Sequence, residues 1–251
     1  MKNKNRVMRN MLISMIGAAI CMAATWLSSA YGEGNVRNGL IQSNWPKMSF
    51  LRFEISLILM AVGIPIYYLG LKELVKAIRL ARRKRSLSDL RMAKLFDMSA
   101  HIGIIGFMFV HAGYTMMAIV YKLLYTTNLM GADIISTTEG MFYYLAIPLL
   151  AFYIIGIGGV SLGFIYYVMQ ERLKVSKICI FFNPLVLFGI GELLKLSKVY
   201  YLADFASASV PFGFLLMMSA GLVHVSQLPN LRRKRRVERE SRERIDRYDR
   251  Y

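Results

Sequence analysis

The chain is poor in the residues that usually announce chemistry. Its 251 residues include two cysteines, three histidines and two tryptophans. Cys21 and Cys179 both lie in apolar stretches, away from an oxidising aqueous face, which excludes a disulfide-stapled scaffold and leaves them as small buried hydrophobes. There is no GxxxxGK[ST] and no HExxH, so the sequence resembles no P-loop ATPase and no metalloprotease of known motif pattern. Gly159-Val160-Ser161-Leu162-Gly163 has GxSxG spacing, but it lies inside an apolar run and Ser161 alone is poor evidence of catalysis. Acidic residues are scarce too, 15 against 32 lysines and arginines. The resulting charge of +17 invites a nucleic-acid reading, but no RNA- or DNA-reading module is visible and no nucleic-acid partner is expected.

What is present is apolar sequence. Hydrophobic residues make up 56% of the chain, and the mean hydropathy is +0.42. That is too apolar for an ordinary soluble domain. A membrane-spanning helix needs about 20 mostly apolar residues to cross a hydrocarbon core about 30 Å thick. Six segments qualify, near 8–30, 53–76, 98–122, 141–168, 178–197 and 205–226. The expected fold class is therefore all-α, a polytopic helical bundle with six transmembrane helices. Residues 1–230 form the membrane domain and 231–251 a basic tail.

The basic residues orient it. Twenty-six of the 32 fall in four segments: the N-terminus, Lys72–Lys94, the turn with Arg172, Lys174 and Lys177, and the tail from Arg232. Basic side chains stay with cytoplasmic loops, so both termini are expected inside, in a multi-pass protein of the cell membrane. The lipid bilayer is the first partner. Arg82, Arg83, Lys84 and Arg85, with the tail Arg232–Arg236, are placed to meet anionic headgroups. A membrane protein partner is a further expectation. The first segment also resembles a signal peptide, ending in Ser28-Ser29-Ala30, but its length and Trp26 near the exported end favour a retained helix. Residues 31–52 then form an outer loop with Tyr31 and Trp45 as interfacial aromatics, and 123–140 form a second one without a basic residue. No internal repeat is evident.

Polar groups inside the spans are costly, and so they are the candidate ligand or ion sites. Asp97 and His101 share a face of span three at its cytoplasmic end, with His224 of span six at similar depth. His111 lies at mid-depth, with Tyr114 beyond it. Glu54, Glu192 and Asp204 belong to the outer side. His101 and His111 are about 15 Å apart along one helix, too far to share an ion. A compact metal site would need spans three and six to bring His101, His224 and Asp97 together, and neither a metal nor a cofactor is expected. Converging, Glu54, Glu192 and Asp204 would bind a cation or relay protons, yet Glu192 has Lys195 three residues on as an ion-pair partner. Asn183-Pro184 is expected to kink span five, either as a polar binding point or as a structural bend. Gly159 and Gly163 of span four, and Gly103, Gly106 and Gly113 of span three, should permit close helix packing.

The segment Gly63–Gly70 in span two, the histidine-bearing third span and Phe182-Asn183-Pro184 together resemble an uncharacterised family of multi-spanning bacterial membrane proteins. The resemblance covers spans two to six and implies topology alone. Three readings follow, in this order: a non-catalytic bundle binding a lipid, ligand or partner; a small-solute or ion transporter using Glu192 and the Asn183-Pro184 kink; and an intramembrane lipid-modifying enzyme using His111 and Tyr114.

Overall fold

Long apolar stretches away from water must satisfy their backbone N–H and C=O groups internally, which a helix does within one segment. The computed structural model describes residues 4–30, 32–38, 41–80, 87–127, 133–197 and 199–227. Among these residues there are seven α-helices: α1 Lys4–Ser29, α2 Phe50–Leu80, α3 Leu87–Thr127, α4 Ile134–Met169, α5 Pro184–Leu196, α6 Tyr200–Ser207 and α7 Ser209–Ser226. Five segments are long and apolar enough to cross a membrane: α1, most of α2 and α3, Leu150–Met169 of α4, and α7.

Several boundaries differ from those expected. The fifth segment is not one helix but a 3-10 turn, Lys177–Phe181, followed by the 13-residue α5. Asn183-Pro184 is therefore a helix start and not a mid-helix kink. Pro184 occupies the first helical position, where an N–H would have no intrahelical partner to lose. The sixth segment divides at Ala208 into α6 and α7. The expected outer loop 123–140 shrinks, because α3 runs on to Thr127 and α4 begins at Ile134. Threonine and serine hydroxyls there bond to carbonyls one turn back, as Thr126 does to Lys122 and Thr138 to Ile134. Tyr31, Arg82–Arg85 and the tail Arg232–Arg236 lie outside the described residues.

Two antiparallel hairpins form the frame. Along α1 and α2, Gly17 abuts the backbone at Gly63 and Tyr67, and the Ser14 hydroxyl donates to the Tyr67 carbonyl. Along α3 and α4, Gly103 faces Gly156, Ser99 faces Gly159 and Phe96 faces Gly163. Such small residues gain van der Waals contact by letting backbones approach. Gly103, Gly106, Gly159 and Gly163 all serve that purpose. Helix α7 runs antiparallel to α1: Gly221 meets Met11, and the Lys4 ammonium donates to the Ser226 carbonyl. At the opposite end the Gly32 N–H donates to Asp204 at 3.2 Å. Tyr67, Phe107 and Phe214 meet in the centre, their ring centroids 5.3 and 6.1 Å apart in the two contacts that Phe214 makes. Helix α5 leans on α7, Pro184 against Gly213 and Gly191 against Ser209.

The segment between α1 and α2 caps the Asp204 end. Gly32 and Gly34 turn the chain with φ of 68° and 71°, a left-handed conformation that suits glycine. A two-residue ladder, Arg37–Asn38 with Ile41–Gln42, leads to the 3-10 turn Trp45–Lys47. Ile41 and Trp45 are fully buried against Met117, Ala118 and Tyr121 of α3. Trp45 is thus the core of the cap, not an interfacial anchor: the turn folds its ring inward onto the aromatics of α3. The Lys122 ammonium closes the cap, donating to the Pro46 carbonyl at 2.6 Å and lying 4.9 Å from the Phe50 ring centroid.

Candidate functional site

Beneath the cap, toward the end of the bundle away from Lys4 and Ser226, lies a cavity of about 280 Å³. It sits between the two hairpins, with α5 and α6 lining the remaining side. Phe107 of α3, Phe142 and Tyr153 of α4 and Phe188 of α5 make it aromatic. Its polar lining comes from different elements: Thr25 and Ser29 of α1, Gln42 of the cap, His111 and Tyr114 of α3, Lys195 of α5 and Ser207 of α6. An apolar pocket with a few converging polar groups is the usual form of a small-molecule site.

The polar groups are held in place. His111 is 6% exposed, and its Nε2 lies 3.0 Å from the Ser56 hydroxyl. Ser56 gives its own proton to the Ala24 carbonyl at 2.7 Å. A serine has one proton, so in this arrangement His111 donates through Nε2, and Nδ1 carries the lone pair. Among the described residues Nδ1 has no partner. Gln42 is committed as fully: its amide donates to Tyr114 Oη at 2.9 Å and to the Ser29 carbonyl at 3.2 Å, and accepts from Asn35 at 3.0 Å. The cap thereby ties α1 to α3 across the roof. Lys195 pairs with Glu192 at 2.6 Å, their side chains 23% and 45% exposed. The charges cancel at the rim, and Phe188 beside them is half-exposed, so the cavity opens past α5 to the surface of the bundle.

The expected site residues are distributed as follows. His111 and Tyr114 come together at this cavity, and Glu192 reaches its rim through Lys195. His101 does not join them: its Nδ1 bonds the Asp97 carbonyl at 2.7 Å and its ring meets Tyr68 edge-on, while the Lys72 ammonium lies 4.7 Å from the centroid of the same tyrosine ring. His224 is buried elsewhere, accepting from the Lys174 N–H at 2.8 Å. Among the described residues no group of three His, Cys, Asp or Glu side chains could hold a metal ion. Nor do the three outer carboxylates converge. Glu54 is exposed, Glu192 pairs with Lys195, and Asp204 accepts from Gly32. Each follows its own helix: α2 turns Glu54 outward, while Asp204 is drawn to the cap.

Asn183 is likewise occupied. Its Oδ1 accepts from the N–H groups of Leu185 and Val186, both at 3.1 Å, and its Nδ2 donates to the Ile180 carbonyl. The Leu185 N–H also reaches Ser161 Oγ of α4 at 3.1 Å. The side chain is completely buried and satisfies its own helix start, as an N-cap does. Sequence reading missed Gln42, Ser56, Phe107, Tyr153 and Phe188 as parts of the site. A serine and a few aromatics in apolar helices give no signal of their own.

Residues 1–227 match a Family of unknown function (DUF6796), and the chain belongs to that family. No curated protein and no solved structure matches this chain.

Proposed function

We propose that this member of a family of unknown function is an integral membrane protein of six crossings that holds a small amphiphilic molecule in the cavity between its hairpins, without catalysis. Five apolar helices support the membrane reading directly. Support for the sixth crossing comes from the ends of the bundle. Lys4 meets Ser226, and Lys174 meets His224 within a turn of that end. Gly32 and Asp204 mark the other end. Between residues 174 and 204 the chain therefore travels the length of the bundle, and α5 with its preceding 3-10 turn is the helical structure available in that interval. A 13-residue α-helix rises about 20 Å and five 3-10 residues about 10 Å, together near the thickness of the hydrocarbon core. Irregular backbone at that depth is tolerated where its groups are satisfied by protein, which is what Asn183 and Ser161 do. An even number of crossings puts both termini on one side. The basic N-terminus and tail favour the cytoplasmic side, in a cell membrane.

The observation that carries the binding reading is the aromatic cavity with its fixed polar lining and its opening past Phe188. Binding is favoured over catalysis because His111 Nε2 is held by Ser56 and Tyr114 Oη by Gln42, which fixes both groups as parts of the cavity wall. A lone embedded carboxylate would favour transport, but Glu192 is neutralised by Lys195. Native mass spectrometry of the detergent-purified chain against a panel of dodecyl amphiphiles (alcohol, acid, amine and monoglyceride) tests the reading. At least one probe should saturate at one molecule per chain. Val110→Trp, which fills the cavity, should abolish that binding, while Ile105→Trp on the exposed face of the same helix should preserve it. If every probe adds without saturation, or if Val110→Trp binds like the parent, the reading fails.

A further inference from the structure

We infer that the head of the bound amphiphile is uncharged and bears a hydroxyl group, which donates a hydrogen bond to His111 Nδ1. This rests on the cavity reading above and specifies its ligand. Three observations lead to it. First, the cavity's charges are already balanced: Lys195 and Glu192 are paired at 2.6 Å on consecutive turns of α5. An anionic head would have to displace Glu192 to reach the ammonium, and a cationic head would bring a second positive charge against Lys195. In surroundings of low dielectric neither arrangement is favoured over a neutral head. Second, His111 in the cavity lining keeps an acceptor that no described residue meets. Ser56 spends its proton on the Ala24 carbonyl, so His111 donates to Ser56 and keeps the Nδ1 lone pair. A head that only accepts, such as an ester or ether, leaves Nδ1 unmet, whereas a hydroxyl meets it. Third, the remaining wall is aromatic. Phe107, Phe142, Tyr153 and Phe188 offer surface to an apolar body, and the partly exposed Phe188 lets a chain leave toward the bilayer.

The protein carries its own reporter. It has two tryptophans, Trp26 and Trp45. Trp26 is half-exposed on α1, and Trp45 is buried with its ring 5.4 Å from that of Tyr114 in the cavity wall. In Trp26→Phe the tryptophan fluorescence comes from Trp45 alone. The experiment titrates this protein with 1-monododecanoylglycerol, dodecanoate and methyl dodecanoate, which share a chain and differ in the head. The monoglyceride should give a saturable change and bind about 5- to 10-fold more tightly than the methyl ester, the worth of one net hydrogen bond. Dodecanoate should be no better than the ester. His111→Gln places an N–H near the Nε2 position, keeping the Ser56 bond, but puts no acceptor at Nδ1. In that variant the monoglyceride should lose its advantage while binding persists.

If all three probes saturate with equal affinity, or dodecanoate binds best, the head assignment is wrong and the cavity reading stands. A monoglyceride preference that survives His111→Gln overturns the role of Nδ1. If no probe saturates, the cavity reading itself fails and the inference with it. Should His111→Gln fail to fold, the comparison of the three heads on the His111 protein still decides the matter.

Discussion

Asn183 shows what one side chain can do inside an apolar helical bundle. It accepts from two N–H groups of α5 and donates to the Ile180 carbonyl, so the chain can change from 3-10 to α-helix without leaving those groups bare. Replacing it by alanine should cost about 1–2 kcal/mol, in the range of lost N-caps, and lower the thermal unfolding midpoint in detergent. Asn183→Ser should recover part of the loss, because a serine oxygen still accepts. This residue was visible in the sequence as a polar group in an apolar run, but its role was misread. Apolar residues flank it on both sides, so hydropathy alone continues the span through it, and the Asn-Pro pair then reads as a kink. Asparagine followed by proline is also the pattern of a helix start. That signal was present and was outweighed by the hydropathy. Lys122 is the reverse case. It marks a span end by its charge, and nothing in its neighbourhood reveals that it reaches Pro46. Lys122→Met should loosen the cap, seen as faster proteolysis or hydrogen exchange over residues 41–48, with the helices unaffected.

At the level of elements, the packing of α3 on α4 is set by glycines whose missing side chains are occupied by the neighbour. A methyl at Gly156 would overlap the backbone of Gly103, whereas one at Gly158 meets nothing within 4 Å. Gly156→Ala should therefore cost about 1–3 kcal/mol through overpacking, and Gly158→Ala should leave the unfolding midpoint unchanged or raise it. Equal effects of the two would contradict the packing described. The helices themselves were legible because long apolar runs have few other solutions in lipid. Their ends were less so: Thr126, Thr127 and Ser136 look like loop residues, yet their hydroxyls bond to carbonyls one turn back and the helix continues. The division of the last segment at Ala208 left no mark in its hydropathy.

On the scale of the whole molecule, the cavity depends on elements far apart in sequence. His111 and Tyr114 could be picked out beforehand, since each is a polar group in an apolar helix. Gln42, Ser56 and Lys195 join them only through the packing of the cap, α2 and α5, and no local pattern encodes that convergence. The same packing brings Lys4 to Ser226, and this makes a topological prediction. Enzyme reporters fused before Lys4 and after Tyr251 should both be active on the same, cytoplasmic, side of the membrane. Reporters on opposite sides would remove α5 as a crossing.

The central claim is that an amphiphile occupies the cavity between the hairpins, and photolabelling tests it most directly. A dodecyl monoglyceride carrying a photoreactive group near its head is irradiated with the protein in lipid nanodiscs, and the labelled peptides are mapped. The account predicts label concentrated on residues 107–114, 142–153 and 188–195, competed away by unlabelled monoglyceride and absent from Val110→Trp. Label spread over exposed apolar positions such as Ile16, Ile58 and Leu162, without competition, would contradict it.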